Sequence, residues 1–325
     1  MLVSFLWIAI TLYAPALQCQ TVEPTDEEQL MLELINRARM DPPAEGIRLA
    51  NETDPAILSA YAYFSVDLET MKKEFASYPP RPPLAMNEKL IQSARRHSLD
   101  MRANNFQDHT GSDGSDPGLR IDDAGYLWWG WAENIYAYAK SVEHGHAGFL
   151  VDWGNTIPGH RMATLEYDDD PIFNEVGIGI VRTASGKVAA AKRLDRAGKE
   201  ISPSAVLQGS AVGPMLITID FGAGQNYIPQ VVGVVYNDLN GNQFYDIGEG
   251  LGGVKITING DNRVVVTASS GGYSFPIAIP GQYTITASGG ILTESIRKTV
   301  KILGDNIKAD FILGQDSNVG EWTLY

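Results

Sequence analysis

The chain has 325 residues but a single cysteine, Cys19. One cysteine excludes a disulfide within the chain, so the fold must be stabilised by burial of apolar side chains, and metal binding is a second source of stability that the sequence allows. Basic residues are scarce as well, since 25 Lys and Arg stand against 39 Asp and Glu, and the formal net charge is −14. This deficit argues against nucleic acid or an anionic membrane as a partner.

Residues 1–20 lack any charged side chain and hold an apolar run that includes Ala14-Pro15-Ala16. The run is short for a membrane span but suits the hydrophobic region of a signal peptide, and small residues two apart are typical of a cleavage site. No Lys or Arg precedes the run, so an uncleaved anchor and a lipid anchor at Cys19 stay open as alternatives. We therefore expect a signal peptide over 1–20 and an extracellular or cell-envelope protein.

The first two thirds of the chain have the apolar periodicity of amphipathic helices. Thr25 and Glu28 form a capping box before a helix, and Asn87 can cap another. Between them, 44–78 contains helical pieces and 79–83 is a proline-rich connector. His97 falls on an apolar helix face, where a hydrogen-bonded core histidine is the ordinary interpretation.

Later segments of this part mix one more helix with strands. Residues 141–153 predict the helix, on which we expect His144 to face solvent. Strands are predicted at 176–181, 187–191 and 214–224, so helices should surround a sheet in an α+β domain over 25–225.

From Pro229 the pattern changes to short strands separated by turn residues about every ten positions. This spacing is typical of an all-β sandwich, here over 228–315. Residues 316–325 form a polar tail.

A segment at the start of the β region has oxygen-bearing side chains at the spacing of an EF-hand loop. Positions 1, 3, 5, 9 and 12 of this loop can supply side-chain oxygens, and position 7 can supply its backbone carbonyl. In order along the chain, these candidate Ca²⁺ ligands are Asp238, Asn240, Asn242, Phe244 (carbonyl), Asp246 and Glu249. No helical pattern flanks the loop, so a single calcium loop on a β domain is the prediction, and an ordinary Asn/Gly-rich turn is the alternative.

The β region resembles the SdrD B-like domains of bacterial surface proteins, which are related to the collagen-adhesin B-type repeats. The segments that carry the resemblance are GVVYND, DLNGNQFYDIGE, GVKI and GGYSF, within 230–313. It implies a calcium-stabilised spacer domain with an immunoglobulin-like or prealbumin-like sandwich.

Three polar residues of the first domain, each beside a turn-forming residue, could converge on one pocket: His109, Glu133 and His160. Two imidazoles and a carboxylate suit Zn²⁺ better than Ca²⁺. A hydrogen-bonded His/Glu cluster without metal is the alternative, and a serine hydrolase using Ser112 or Ser115 is a weaker one.

The first domain is similar to the CAP superfamily (cysteine-rich secretory proteins, antigen 5, pathogenesis-related 1) in its bacterial, cysteine-free SCP-like form. The resemblance covers about 200 residues, and its motifs are LINRAR, ARRHSLDM, FQDHTGSDGSDP, AGY, AENI, PGHR, VGIGI and TIDFG. It implies an α-β-α sandwich with a central antiparallel sheet and an open cleft.

In that family two histidines and one or two glutamates line the cleft and often hold a divalent cation. His109, Glu133 and His160 match these positions. The second glutamate has no counterpart, although Asp152 lies near its place. The insertion 44–83 is unlike animal members and could cover part of the cleft.

Two functions follow from these patterns. The first is a secreted or surface-associated protein whose cleft binds a divalent metal and a small apolar, lipid-like or extended ligand without catalysis, with cell-surface components as partners. The second is a metal-dependent hydrolase or protease that uses Glu133 as general base on a bound water. A purely structural envelope component is a third interpretation.

Overall fold

The computed structural model describes residues 22–167, 172–183 and 211–314. The expected signal peptide, the expected strand at 187–191 and the polar tail lie outside the described residues. Within these three ranges, no helix combines the length and the apolar character needed to cross a membrane.

Helices and strands alternate in the first part of the chain. The helices are α1 (Asp26–Met40), α2 (Pro42–Ala50), α3 (Pro55–Phe64), α4 (Leu68–Phe75), α5 (Glu88–Asn104), α6 (Pro117–Asp123), α7 (Val142–Val151) and α8 (Gly159–Leu165). The strands are β1 (Ala85–Met86), β2 (Trp128–Ala139), β3 (Glu175–Arg182) and β4 (Met215–Gly224).

These four strands form one sheet in the order β1-β3-β4-β2, with β1 parallel to β3 and the other pairs antiparallel. Side chains alternate between the faces of a strand. On one face, Gly177 lies against α5 so closely that a Cβ atom there would be 1.9 Å from the Leu90 carbonyl carbon. On the other face, Val176 and Ile178 share a core with Leu34 of α1. Helices therefore cover both faces of the sheet, which confirms a mixed α and β organisation.

The predicted helix starts are confirmed where capping chemistry was readable. The Thr25 hydroxyl accepts from the Glu28 amide at 3.2 Å, and the Glu28 carboxylate accepts from the Thr25 amide at 2.8 Å. Asn87 caps α5, and His97 is fully buried as expected. Two helical pieces of the 44–78 segment appear as α3 and α4.

Two local expectations were wrong. His144 is 4% exposed instead of facing solvent, because its ring stacks on Tyr136 at 5.8 Å and meets the edge of Trp153 at 5.3 Å. Glu133 is not beside a turn but inside strand β2, whereas His160 follows Pro158 and Gly159 as expected and lies in the first turn of α8.

The second part of the chain consists of strands. They are β5 (Gln230–Tyr236), β6 (Lys255–Ile258), β7 (Val265–Val266), β8 (Gly272–Pro276), β9 (Gly281–Ser288), β10 (Ile296–Ile302), β11 (Ile307–Lys308) and β12 (Phe311–Ile312). One sheet has the order β10-β9-β6-β7, and in the other β5 pairs with β8 on one side and with β11 and β12 on the other. A core that includes Val235, Phe275, Ile256 and Ile285 draws on both sheets.

The two parts of the chain share a hydrophobic core where α1 meets β5. Leu30 and Leu34 of α1 belong to the same buried cluster as Val234 and Tyr236 of β5 and Tyr245 of the following loop. The β part is therefore packed against the first part in this structure.

Polar contacts cross the same junction. Lys308 of β11 places its ammonium 2.7 Å from the Glu33 carboxylate, and their side chains are 12% and 4% exposed. Asn306 donates to the carbonyl oxygens of Pro83 and Asn174 at 2.9 and 2.8 Å. Buried groups that are paired across a boundary fix the relative position of the two parts, because each loses a partner if they separate.

Candidate functional site

His109 and Glu133 are in direct contact in the structure. The His109 Nδ1 atom lies 2.7 Å from Glu133 Oε1, and the Arg120 guanidinium donates to Glu133 Oε2 at 2.5 Å. The Glu133 and Arg120 side chains are each 1% exposed, whereas that of His109 is 53% exposed. A solvent-facing imidazole is thus held from behind by a buried carboxylate.

Arg120 fixes this arrangement from helix α6, which begins after the capping residue Asp116. Its second guanidinium nitrogen donates to the carbonyl oxygens of His109 and Ser115 at 3.0 and 2.9 Å. Burial alone would raise the pKa of Glu133, but the His109 hydrogen bond and the nearby cationic charge lower it below its ordinary value. Glu133 is consequently an anion with both oxygens engaged.

His160 has a carboxylate partner of its own, Asp152. Helix α7 ends at Asp152, which takes a left-handed conformation with φ 56°. The Asp152 carboxylate accepts from the His160 amide at 2.8 Å and lies 2.7 Å from His160 Nδ1. Burial opposes ionisation of Asp152, yet the hydrogen bond from His160 lowers its pKa. Asp152 therefore supplies a carboxylate beside the second histidine.

The two histidine–carboxylate pairs are attached to successive residues of strand β2. Glu133 holds His109, and Asn134 donates from its side chain to the His160 carbonyl oxygen at 3.0 Å. Neighbouring residues of a strand point to opposite faces, so the pairs flank this edge of the sheet. The structure joins His109 to Glu133, while the described hydrogen bonds of the His160 ring go to the 152–155 segment.

No group of three or more His, Cys, Asp or Glu side chains is placed to hold a metal ion among the described residues. The metal site at His109, Glu133 and His160 stays a prediction.

A second acidic residue lies beneath Glu133 and was not singled out from the sequence. Asp220 on β4 is the cross-strand partner of Glu133, is fully buried, and has no hydrogen-bond partner on either carboxyl oxygen within the described residues. Burial and the charge of Glu133 raise its pKa well above the ordinary value, which keeps it neutral. A readable signal existed, because TIDFG places one acidic residue in an otherwise uncharged strand.

Other polar atoms around this carboxyl are also buried without a described partner: Ser93 Oγ, His97 Nδ1 and Arg120 Nε. His97 uses its other nitrogen, which lies 2.9 Å from the Asp108 carbonyl oxygen, and burial lowers its pKa to about 4. His97 and Arg120 also line a cavity of about 240 Å³. A polar layer therefore extends inward from the His109–Glu133 contact.

In the described part of the chain, neither Ser112 nor Ser115 forms a hydrogen bond with a histidine, as a serine hydrolase would require. The Ser112 hydroxyl donates to Asp100, which also accepts from the Ser112 amide at 2.7 Å. His109 meanwhile contacts Glu133. Nucleophile and base would need to be within hydrogen-bond reach of each other.

The predicted calcium loop is closed by its own carboxylates. Asp238 accepts from the backbone amides of Gly241, Asn242 and Gln243 at 2.9 to 3.1 Å. Glu249 is 4% exposed and accepts from the amides of Leu239 and Asp246 at 2.8 and 3.0 Å. The first and last predicted ligands are thus held at opposite ends of one loop.

The inner side chains of the loop converge on Asp246. The side-chain amides of Asn240 and Asn242 both donate to Asp246 Oδ2 at 2.7 Å. Rotation of each amide by half a turn would present oxygen in place of nitrogen. Carboxylate, amide and carbonyl oxygens on one short loop are the ligands that Ca²⁺ prefers, so the residues present fit this ion.

Among solved structures, the chain is similar to an extracellular protein containing an SCP domain from Bacillus anthracis str. Ames. The likeness covers 53% of this chain and 44% of that chain, with 18% identity and a TM-score of 0.30. The chain thus spans less than half the length of that protein's chain. So weak a likeness assigns no function. No protein-family model matches the sequence, and no curated protein matches it either.

Proposed function

We propose that this chain is an extracellular or cell-envelope protein of the SCP-like (CAP) type. Its cleft binds a divalent cation through His109 and His160 and does not catalyse a reaction. A β domain of the SdrD B-like type, stabilised by Ca²⁺ in the 238–249 loop, accompanies it. The ordered motifs of the first part, the helices on both faces of its sheet, and the strand pattern after Pro229 support this assignment.

The observation that carries the proposal is that each imidazole is held at Nδ1 by a buried carboxylate. Glu133 holds His109 and Asp152 holds His160, each at 2.7 Å. Neither Nε2 atom has a hydrogen-bond partner within the described residues, and the two histidine side chains are 53% and 26% exposed. A carboxylate behind an imidazole fixes the tautomer and orientation that a metal-ligating histidine requires.

The same geometry argues against Glu133 as a general base. A base needs a free lone pair within reach of the proton that it abstracts. Glu133 already receives hydrogen bonds on both oxygens, from His109 and Arg120, and is 1% exposed. The role that this supports is orientation of His109 rather than activation of water.

The ligand class that we propose for this cleft is apolar or extended, since apolar side chains lie near His160. Phe149 lies 5.5 Å from the His160 ring between centroids, and Phe64 of the 44–83 insertion stacks on Trp153 at 6.5 Å. Ile157, in the loop between α7 and α8, is 72% exposed. Apolar surface near the oriented His160 imidazole suits a ligand with a polar head and an apolar body.

Zinc titration calorimetry on the full chain tests the metal part of the proposal. His160→Ala should abolish binding, and Asp152→Asn should weaken it about 10- to 100-fold by removing the anion behind the ligand. Ile157→Ala, in the same loop, should bind like the wild type.

Unchanged Zn²⁺ affinity in His160→Ala would contradict the cleft assignment. Non-catalysis has a separate test with ester and peptide substrates. Turnover by the wild type that disappears in Glu133→Gln would establish the hydrolase alternative instead.

A further inference from the structure

The predicted calcium loop is also part of the junction between the two parts of the chain. Building on the calcium site proposed above, we propose that Ca²⁺ in the 238–249 loop clamps the β part onto helix α1. The ion would then stabilise α1 as well as the loop that binds it. An independent spacer would confine this effect to residues 228–314.

The central residue of this clamp is Phe244. Its backbone carbonyl is the predicted ligand at loop position 7, and its amide donates to Asn242 Oδ1 at 2.7 Å. Its ring packs against the buried cluster that contains Leu30 and Leu34, and the Arg37 guanidinium of α1 lies 4.7 Å from the ring centroid. If the predicted ligand set is right, one residue would contact the ion through its backbone carbonyl and contacts α1 through its side chain.

The next residue strengthens the same contact. Tyr245 is 1% exposed, lies in the core shared with α1, and meets Tyr236 edge-on at 6.2 Å. Phe244 and Tyr245 are located between Asp238 and Glu249, the two carboxylates that close the loop. An ion that fixes the ends of this segment restricts the backbone that carries both aromatic rings, so less entropy remains to be lost on docking.

On the other side of the contact, Arg37 is held in place by a buried network. Its guanidinium donates twice to Glu45 of α2, at 2.8 and 2.9 Å, and Glu45 lies 2.8 Å from His146 of α7. Phe244 thus packs against an arginine that is already oriented by two further helices. A preorganised surface of this kind favours transmission of the loop's order to α1.

Some contacts between the two parts do not involve the loop, and these contacts limit how much the removal of Ca²⁺ can loosen the junction. Lys308 and Asn306 reach Glu33 and Pro83 without involving residues 238–249. Removal of Ca²⁺ should therefore loosen α1 without separating the two parts.

Hydrogen exchange of the full chain, followed by mass spectrometry, measures this coupling peptide by peptide. With Ca²⁺ about 100-fold above its dissociation constant, exchange in 238–249 should slow, and exchange in 26–40 should slow by about tenfold. Glu249→Gln removes a predicted ligand and should lose both effects. Peptides of α6, which contacts α5 and β2, serve as the internal reference.

Phe244→Ala separates binding from coupling, because it removes the ring and keeps the carbonyl. Terbium luminescence should show that this variant still binds the ion, while 26–40 no longer responds to Ca²⁺. Leu239→Ala is the matched control, since Leu239 is in the same loop and 71% exposed. It should retain both binding and the response of α1.

Each outcome has a distinct meaning. Calcium binding without any change in 26–40, or a full response in Phe244→Ala, overturns the clamp and leaves the loop site standing. Absence of terbium and calcium binding in the wild type overturns the calcium site itself, and the clamp with it.

Discussion

Replacement of Lys308 by methionine tests whether the junction depends on a buried ion pair. Lys308 lies 2.7 Å from Glu33 and also pairs with Asp310. Methionine has a similar length and lacks the charge. In Lys308→Met, Glu33 keeps the hydrogen bond from Gln29 at 2.7 Å but loses its cation.

The magnitude follows from the protonation of Glu33. Burial raises its pKa even with Lys308 present, and the loss of the cation should raise the pKa further. The mutation therefore costs at most the free energy of protonating an ordinary glutamate, about 3.7 kcal/mol near pH 7 and about 1 kcal/mol near pH 5. The sign is fixed, because a raised folded-state pKa loses stability as pH rises above the unfolded value.

Urea unfolding at both pH values measures these costs, with Glu33→Gln/Lys308→Met as the control. Glutamine still accepts from Gln29, so the double variant should lie within about 1.5 kcal/mol of the wild type at both pH values, since a buried pair contributes little net stability. A Lys308→Met cost that is equal at both pH values would refute the reasoning, and so would a double variant as unstable as the single one.

Three further predictions test other parts of the structure. Asp220→Asn should stabilise the fold above about pH 5, because it removes a carboxyl whose pKa is raised by burial and by Glu133. Equal melting temperatures of the variant and the wild type at pH 5 and at pH 8 would contradict this. Gly177→Ala should cost more than about 3 kcal/mol, since its Cβ would overlap the α5 backbone, whereas Gly159→Ala has open space and should cost less than about 1 kcal/mol in urea unfolding. Asn306→Ala should cost about 2 to 4 kcal/mol by the same measurement, because it leaves several buried groups without hydrogen-bond partners. A cost below about 1 kcal/mol would indicate that water replaces the Asn306 side chain as their partner.

Helix positions were predictable because their signals are local. The Thr25–Glu28 capping box and the Asn87 cap need only residues within one turn, and both appear as expected. The burial of His144 was not predictable in this way. Its exposure is decided by Tyr136 and Trp153, which come from other elements of the chain.

The residues of the candidate site could be predicted from the sequence, but the contacts between them could not. Glu133 and His109 stood out by chemistry, and nothing in their spacing revealed Arg120 as the second hydrogen-bond partner of the Glu133 carboxylate. The proximity of Asp220 to Glu133 could not be predicted, because it depends on the β2–β4 register that places the two residues opposite each other. Register is a tertiary property, set by which apolar face is buried.

The buried polar groups beneath His109 lower the stability of the fold relative to apolar side chains in the same place. A buried ion pair such as Arg120–Glu133 contributes little net stability compared with apolar residues of similar size. The carboxyl of Asp220, buried beside Ser93 and Glu133, adds a desolvation cost. Apolar side chains could fill the same space between β4 and α5 with greater stability. What the polar groups provide instead is one fixed orientation for an exposed imidazole, and this cost in stability is consistent with the ligand-binding role proposed above.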